Sequence, residues 1–506
     1  MKYFLFFVLP LVGLMACGAS GDGAANAQAA NAGEQATPTV NRTAPVGNKP
    51  VATFDDQETS ATTRLDLTLS GVPAGGKAYL IGVFAETRFR LDSADVQQGG
   101  KASFSSSTPY PHGFFFAYYP DGSSFQFLMD GDQEFSMTAT KGSVVNTMQV
   151  NGSTTNEWLY ESLKYQESLT PRFNEVNTAI VGVLPNDPEY AALKARQDAL
   201  VAERDNYLQE MFDRDPNNLF VRFKKAGQNP KLRTELTLPD GSPDNALQVY
   251  YYRRAFWDDV NFADTVLIRT PVIANKLERY ITQLTPKNPD SIISSADFLL
   301  EKAMGHPEYF KYFANWITLQ FEPGETDLMD SEAVHVHMIQ NYFTPELAFW
   351  SDETNIQGLQ QRADQMSRSL LKQQAPDIAV PDRNGNPKQL YDETAPYVAV
   401  YMYNPTCEHC IEETPKVKAL SQRRPDLKIY AVAIDTEREA WLKFVNDYGL
   451  SSWTNVFDPS NRSIYGTYYV DITPELYLLN PERKIIGKNL KASQVEEMIT
   501  RDKNKG

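Results

Sequence analysis

One stretch constrains this chain more than any other. The apolar run from Tyr397 to Tyr403 (YVAVYMY) passes through Asn404-Pro405-Thr406 straight into Cys407-Glu408-His409-Cys410. An uninterrupted run rich in β-branched and aromatic residues predicts a strand buried on both faces, as in a parallel sheet. Asn-Pro is a turn signal, and a helix is expected to open at the cysteines and run past Leu420. A second buried strand is expected at Ile429 to Ile434. A helix holding Trp441, Leu442, Phe444 and Val445 follows, then strands at Leu476 to Leu479 and Lys484 to Gly487. This βαβ order followed by a hairpin predicts an open sheet with helices on both faces. Ahead of it, Ala375-Pro376-Asp377 leads into a short strand and Asn384-Gly385 marks a hairpin turn.

The cysteines acquire chemistry from this placement. The chain has three, Cys17, Cys407 and Cys410, so none is left to form a separate structural staple. A Cys-X-X-Cys in so cysteine-poor a chain points to redox or metal chemistry. The thiolate is the nucleophile, and a helix N-terminus offers free N–H groups and about half a positive charge. Cys407 is therefore expected to ionise below the ~8.5 of a free thiol. Cys410, within one helical turn, can attack a mixed disulfide on Cys407 and release the reduced partner. A Cys407–Cys410 disulfide closes a very short loop, so it adds little stability. The competing reading is a zinc site of Cys407, His409 and Cys410. It lacks further cysteines, and the remaining histidines lie in other segments.

Residues 370 to 506 resemble thioredoxin-like domains of the TlpA/ResA type: the leading strand, the C-X-X-C and Thr473-Pro474 occur in that family's order. The resemblance implies an α/β thioredoxin fold and a thiol:disulfide oxidoreductase, with no cofactor expected. It implies a cis bond before Pro474 and a Thr473-Pro474 loop that faces the redox pair and docks the substrate sulfur. It also implies that Glu413, followed by Thr414-Pro415, sets a carboxylate beneath the pair to pass protons to or from Cys410, and that Pro415 kinks the helix. The chain departs from the family in having Thr406 where a Trp commonly precedes the first Cys. His409 stands where Pro is often found. Glu408 and His409 are thus candidates for redox tuning; an imidazolium at 409 would stabilise the Cys407 thiolate and favour oxidation of partners. The direction of electron flow stays open. The partners implied are protein thiols or disulfides and an upstream electron donor or acceptor.

At the other end, Lys2 precedes an apolar stretch from Tyr3 to Leu14, short of the ~20 residues of a membrane span. Leu14-Met15-Ala16-Cys17 resembles the lipobox of bacterial lipoproteins. The resemblance implies that residues 1–17 carry an export signal cleaved before Cys17, and that Cys17 takes lipid and anchors the chain to a membrane. The alternative is an ordinary signal peptide with a chance Cys. Gly18, with no acidic cluster nearby, favours a periplasm-facing anchor in the outer rather than the inner membrane. Residues 18–61 are rich in Ala, Gly, Asn, Gln, Thr and Pro and are expected to form a flexible linker.

Between these ends the periodicity changes once. Over 62–152 it is two, as in Leu65, Leu67 and Leu69, in Phe125, Phe127 and Met129, and in Phe135 and Met137. Turn signals at Pro73 to Gly76, Gly99-Gly100, Pro120-Asp121-Gly122 and Asp130-Gly131 separate the runs. An antiparallel β-sandwich or barrel is expected. Asp130-Gly131-Asp132 reads as a hairpin turn rather than a calcium loop, whose other ligand positions do not follow. Residues 153–366 are expected to be α-helical. Tyr190, Leu193, Leu200, Val201, Tyr207, Leu208, Met211 and Phe212 form an apolar stripe, and Thr270-Pro271 and Thr344-Pro345-Glu346 read as helix starts. Tyr250, Tyr251, Tyr252, Phe256 and Trp257 are read as core packing in preference to a ligand groove. His335 and His337, two apart on a helix, diverge too far for a shared metal, and no metal is expected. The two upstream regions resemble domains of unknown function placed ahead of thioredoxin-like domains in envelope lipoproteins.

A net charge of −16 excludes nucleic acid as a partner and a polybasic hold on anionic lipid. The reading is a thiol–disulfide oxidoreductase of the cell envelope. The alternative is an envelope binding or scaffold lipoprotein whose thioredoxin-like domain is a redox sensor or docking platform.

Overall fold

The computed structural model describes residues 62–504 apart from 185, 234, 459–461 and 471. The expected signal over 1–17, Cys17 and the linker over 18–61 lie outside the described residues. By its internal contacts the chain divides into two compact units, Met1–Leu284 and Thr285–Gly506. The helical stretch expected over 153–366 is shared between them.

The first unit opens with two four-stranded sheets. One has the order Lys101–Ser106, Thr63–Ser70, Glu134–Thr140, Gln149–Asn151; the other Thr87–Asp95, Lys77–Phe84, Gly113–Tyr118, Ser124–Met129. Alternation puts Leu65, Leu67 and Leu69 fully inside. Phe127 of one sheet lies 6.0 Å from Phe135 of the other, so apolar faces meet. Neither sheet closes into a barrel; each keeps two edge strands. The expectation of a wholly antiparallel layer fails at one ladder, because Thr63–Ser70 and Glu134–Thr140 pair in parallel. Between these two strands the chain adds Lys101–Ser106 antiparallel to the first and builds the four strands of the second sheet, then returns to the first sheet in its original direction. For the same reason Asp130-Gly131 is not a hairpin turn but the crossing from one sheet to the other. The Asp130 carboxylate there accepts the Leu219 N–H at 3.1 Å.

Helices Thr154–Ile180 and Pro188–Arg214 follow, started by the side chains of Ser153 and Asp187. Ion pairs Glu161–Arg214, Arg172–Glu203 and Glu175–Arg196 show that they run antiparallel. Of the expected stripe, Leu200, Leu208 and Met211 are buried. Pro271 opens a helix after Thr270, as the sequence predicts. Phe256 and Trp257 are core residues, whereas Tyr250 is half exposed.

The second unit begins with helices Pro289–Ala303, Pro307–Gln320, Ser331–Tyr342 and Glu353–Met366, packed on Leu299, Leu300, Phe313, Ile317, Val334 and Ile339. Thr344-Pro345 does not start a helix. One turn closes there, with Ala348 N–H on the Thr344 carbonyl, and Trp350 then packs against Phe310 and Phe343. The last of these helices starts later, capped by Asp352.

A five-stranded sheet follows in the order Thr454–Asp458, Leu427–Ile434, Tyr397–Tyr403, Glu475–Leu479, Ile485–Gly487. The first three strands are parallel and the last two antiparallel. Every residue of Tyr397–Tyr403 is buried. Ala399, Tyr401 and Tyr403 share one buried cluster with Val417, Leu420, Trp441 and Ile499; Val398, Val400 and Met402 share another with Leu390, Ile464 and Tyr468. Strand Thr454–Asp458, which the sequence reading missed, adds a third parallel edge. A buried ion pair ties the helices to this sheet. Lys488 Nζ lies 3.1 Å from Asp330 Oδ1 and 3.7 Å from Glu332 Oε2, and Asp330 Oδ2 accepts the Leu371 N–H at 2.8 Å.

Candidate redox site

The central strand delivers the chain to a fixed turn. Asn404 Oδ1 accepts both the N–H and the hydroxyl of Thr406 at 2.8 Å, and its Nδ2 donates to the Asp435 carbonyl at 2.8 Å. Cys407 N–H donates to the Asn404 carbonyl at 3.1 Å. Cys407 is therefore held in an extended conformation as the N-cap of helix Glu408–Arg423, and its carbonyl takes the Ile411 N–H. The helix continues through Pro415. Its free N–H groups and positive end face the Cys407 sulfur.

Cys407 and Cys410 are free thiols, the first partly exposed and the second fully buried. Cys407 Sγ donates to the Thr473 carbonyl at 3.3 Å, and the Thr473–Pro474 bond is cis. Partial burial acts to raise the Cys407 thiol. The N–H groups of Cys410 and His409 and the side chains of Cys410 and Thr473 outweigh it, so the thiol falls below its ordinary value. Cys410 goes the other way: burial pushes it up to about 12 against the opposing Asn404 N–H. Cys407 is the more readily ionised sulfur, and its neighbour stays protonated.

Beneath Cys410 lies a set of hydroxyls that the sequence reading did not single out. Thr414 Oγ1 donates to the Cys410 carbonyl at 2.7 Å, and the Tyr401 hydroxyl lies 3.0 Å from Thr414 Oγ1 and 3.4 Å from the same carbonyl. Tyr403 lies on the same side of the sheet. The available signal was the alternation of the run itself, which puts residues 401 and 403 on one face.

Glu413 is turned to other partners. Its Oε1 accepts the Ala492 N–H at 2.8 Å, at the start of helix Ala492–Lys503, and its Oε2 pairs with Lys416 at 2.9 Å. Among the described residues no hydrogen bond joins it to the Cys410 sulfur. Glu408 and His409 are exposed on the first turn. His335 and His337 go to different neighbours, the Thr318 carbonyl and Asp297. Among the described residues no group of three His, Cys, Asp or Glu is arranged to hold a metal.

Comparison with known proteins agrees with this geometry. Residues 371–488 match the AhpC/TSA family, and residues 235–369 match a domain of unknown function (DUF5106). The C-terminal part is thus a thioredoxin-like domain of AhpC/TSA type, preceded by a DUF5106 domain. The chain is similar to the thiol-disulfide oxidoreductase ResA of Bacillus subtilis, 28% identical over 127 residues that make up 25% of this chain and 69% of that protein. ResA of Bacillus anthracis is 25% identical over 131 residues, 26% of this chain and 74% of that one. Among solved structures, a domain of a possible thiol-disulfide isomerase from Cytophaga hutchinsonii is 29% identical, with 27% of this chain and 95% of that one covered and a TM-score of 0.26.

Proposed function

We propose that this chain is a thiol–disulfide oxidoreductase of the cell envelope that exchanges the Cys407/Cys410 dithiol with cystines of partner proteins. The observation that carries the reading is the split between the sulfurs: an activated Cys407 at a helix N-terminus and a protonated Cys410 held in the core. In the reducing direction the Cys407 thiolate attacks a partner disulfide, and one partner sulfur leaves and takes a proton. Cys410 then loses its proton and attacks Cys407 Sγ. The 407–410 bond forms, and the second partner sulfur departs with its electron pair and a proton, so two electrons have passed to the partner. Run backwards, the same steps oxidise a partner dithiol.

Thr473 and Pro474 dock the partner backbone beside Cys407; Glu413, held by the Ala492 N–H and Lys416, has to exchange one of these partners to take the Cys410 proton. The exposed apolar side chains Ile411 and Ile472 suit a protein partner better than a small thiol. Glu408 and His409 set the potential from the exposed turn. Cys17 carries the lipid that holds the chain in the envelope, and an upstream donor or acceptor resets the pair. Among the described residues no helix is long and apolar enough to cross a membrane.

The test is capture. Cys410→Ser in the full chain is expected to accumulate mixed disulfides through Cys407 that dithiothreitol releases, and the additional change Cys407→Ser should remove them. No captured partner, together with no reaction of the wild-type thiols with a model disulfide, sinks the enzymatic reading.

A further inference from the structure

Tyr403 is the last residue of the central strand and is fully buried, in the same cluster as Cys410. Its ring is fixed, stacked on Tyr401 at 5.4 Å with planes 11° apart and 5.2 Å from Phe444. Its hydroxyl makes no hydrogen bond with any described residue. The indole N–H of Trp441 lies beside it, also buried; an indole N–H can only donate, so whatever it offers the Tyr403 oxygen leaves the Tyr403 proton without an acceptor. Tyr401, two residues back on the same face, has its hydroxyl engaged. A buried donor left unpaired is rare and costs stability, and redox chemistry is one of the few reasons to keep one. Phenylalanine would fill the same space without that cost.

Cys410 is buried in the same cluster, in the first turn of the helix that follows the strand ending at Tyr403, where a negative charge on its sulfur acts on this hydroxyl. We propose that the Tyr403 hydroxyl is the donor kept for the Cys410 thiolate that forms when the mixed disulfide is resolved. This rests on the oxidoreductase reading above. In that step Cys410 gives up its proton, which ends on the departing partner sulfur, and the new thiolate attacks Cys407 Sγ as the Cys407–partner bond breaks. Tyr403 supplies a hydrogen bond only. Burial raises its own ionisation well above the ordinary range, so it stays protonated throughout. The other groups facing Cys410 are Cys407 and the Asn404 N–H at the turn, Tyr401 from the strand and Thr473 from the cis-proline loop. Glu413 acts on Tyr401 from the redox helix, and Trp441 from Arg438–Asp447 stands beside the Tyr403 hydroxyl.

The experiment follows both steps in one trace. The reduced full chain is mixed with the chromogenic aryl disulfide DTNB. A first phase reports attack by Cys407, and a second phase reports release of the remaining aryl thiol by Cys410. Tyr403→Phe is expected to leave the first phase unchanged and to slow the second about tenfold, the scale of one hydrogen bond to a charged sulfur. The pH midpoint of the second phase should move upward, while the urea midpoint of unfolding stays equal or rises. A merely structural tyrosine would shift the unfolding midpoint and leave the second phase and its pH midpoint alone, and that result overturns the proposal. If the wild-type chain itself shows no second phase, the oxidoreductase reading falls and takes this inference with it.

Discussion

The ion pair around Lys488 and the space beneath Cys410 are both sealed from solvent within the second unit, and they are furnished in opposite ways. Lys488 and Asp330 are 3% and 2% exposed; Asp330 Oδ2 takes the Leu371 N–H, and Asp330 Oδ1 and Glu332 Oε2 face the Lys488 ammonium as opposite charges without an aligned hydrogen bond. Burial still pushes the Asp330 carboxyl up, which the Lys488 ammonium and the Leu371 N–H oppose. Under Cys410, by contrast, Tyr403 and Trp441 are equally dark and uncharged, and the Tyr403 proton has no acceptor among the described residues. A cluster whose opposite charges already face one another holds helices against a sheet. An unmatched one next to a thiol has a vacancy for a negative charge. The difference separates polar groups buried for architecture from those buried for a reaction.

The largest expected effect tests the reactive side. With Cys410→Ser only Cys407 remains of the pair, and with Cys407→Ser only Cys410. At neutral pH the first chain should alkylate roughly a thousandfold faster than the second, since each pH unit between two thiols is a factor of ten in thiolate. Equal rates would erase the split between the sulfurs. The linkage has a definite sign in the Cys407→Ser chain. Cys410 in the fold ionises only near about 12, above an unfolded thiol. Its contribution to stability is full below the unfolded value and is lost as pH rises through the folded one. Reduced-state unfolding midpoints should therefore fall on the alkaline side.

Next in size is the structural side. Lys488→Met leaves Asp330 and Glu332 facing each other without a cation and should cost about 3–5 kcal/mol in urea unfolding. Adding Asp330→Asn should return part of that loss, and simple additivity would mean the cluster is not a unit. The thiol reactions should be unchanged.

The smallest effect sharpens the contrast most. Tyr401→Phe removes a bonded hydroxyl and should lower stability by about 1 kcal/mol. Tyr403→Phe removes an unbonded one and should not. If the two variants unfold alike, the distinction between engaged and vacant hydroxyls fails.

The redox centre was legible because its signals are local. A run with no polar break can only be a strand covered on both faces, and Asn-Pro followed by Cys-X-X-Cys puts a sulfur at a helix start. The misses depend on residues far apart in the chain. The Tyr403 proton is left over because the polar neighbour that comes up beside it, Trp441, is itself only a donor. Lys488 reads as a surface lysine until Asp330 arrives from the helices. Strand Thr454–Asp458 escaped notice because Thr454, Asn455 and Asp458 frame only two apolar residues, as befits a sheet edge. Asp130-Gly131 has a hairpin's residues, but its flanking strands belong to different sheets.

The bond from Ala492 N–H to Glu413 couples two helices through one carboxylate. Removing that carboxylate, as in Glu413→Ala, takes away the acceptor that holds the first turn of the final helix. Deuterium uptake at residue 492 thus reads the joint between the two helices without labelling either sulfur.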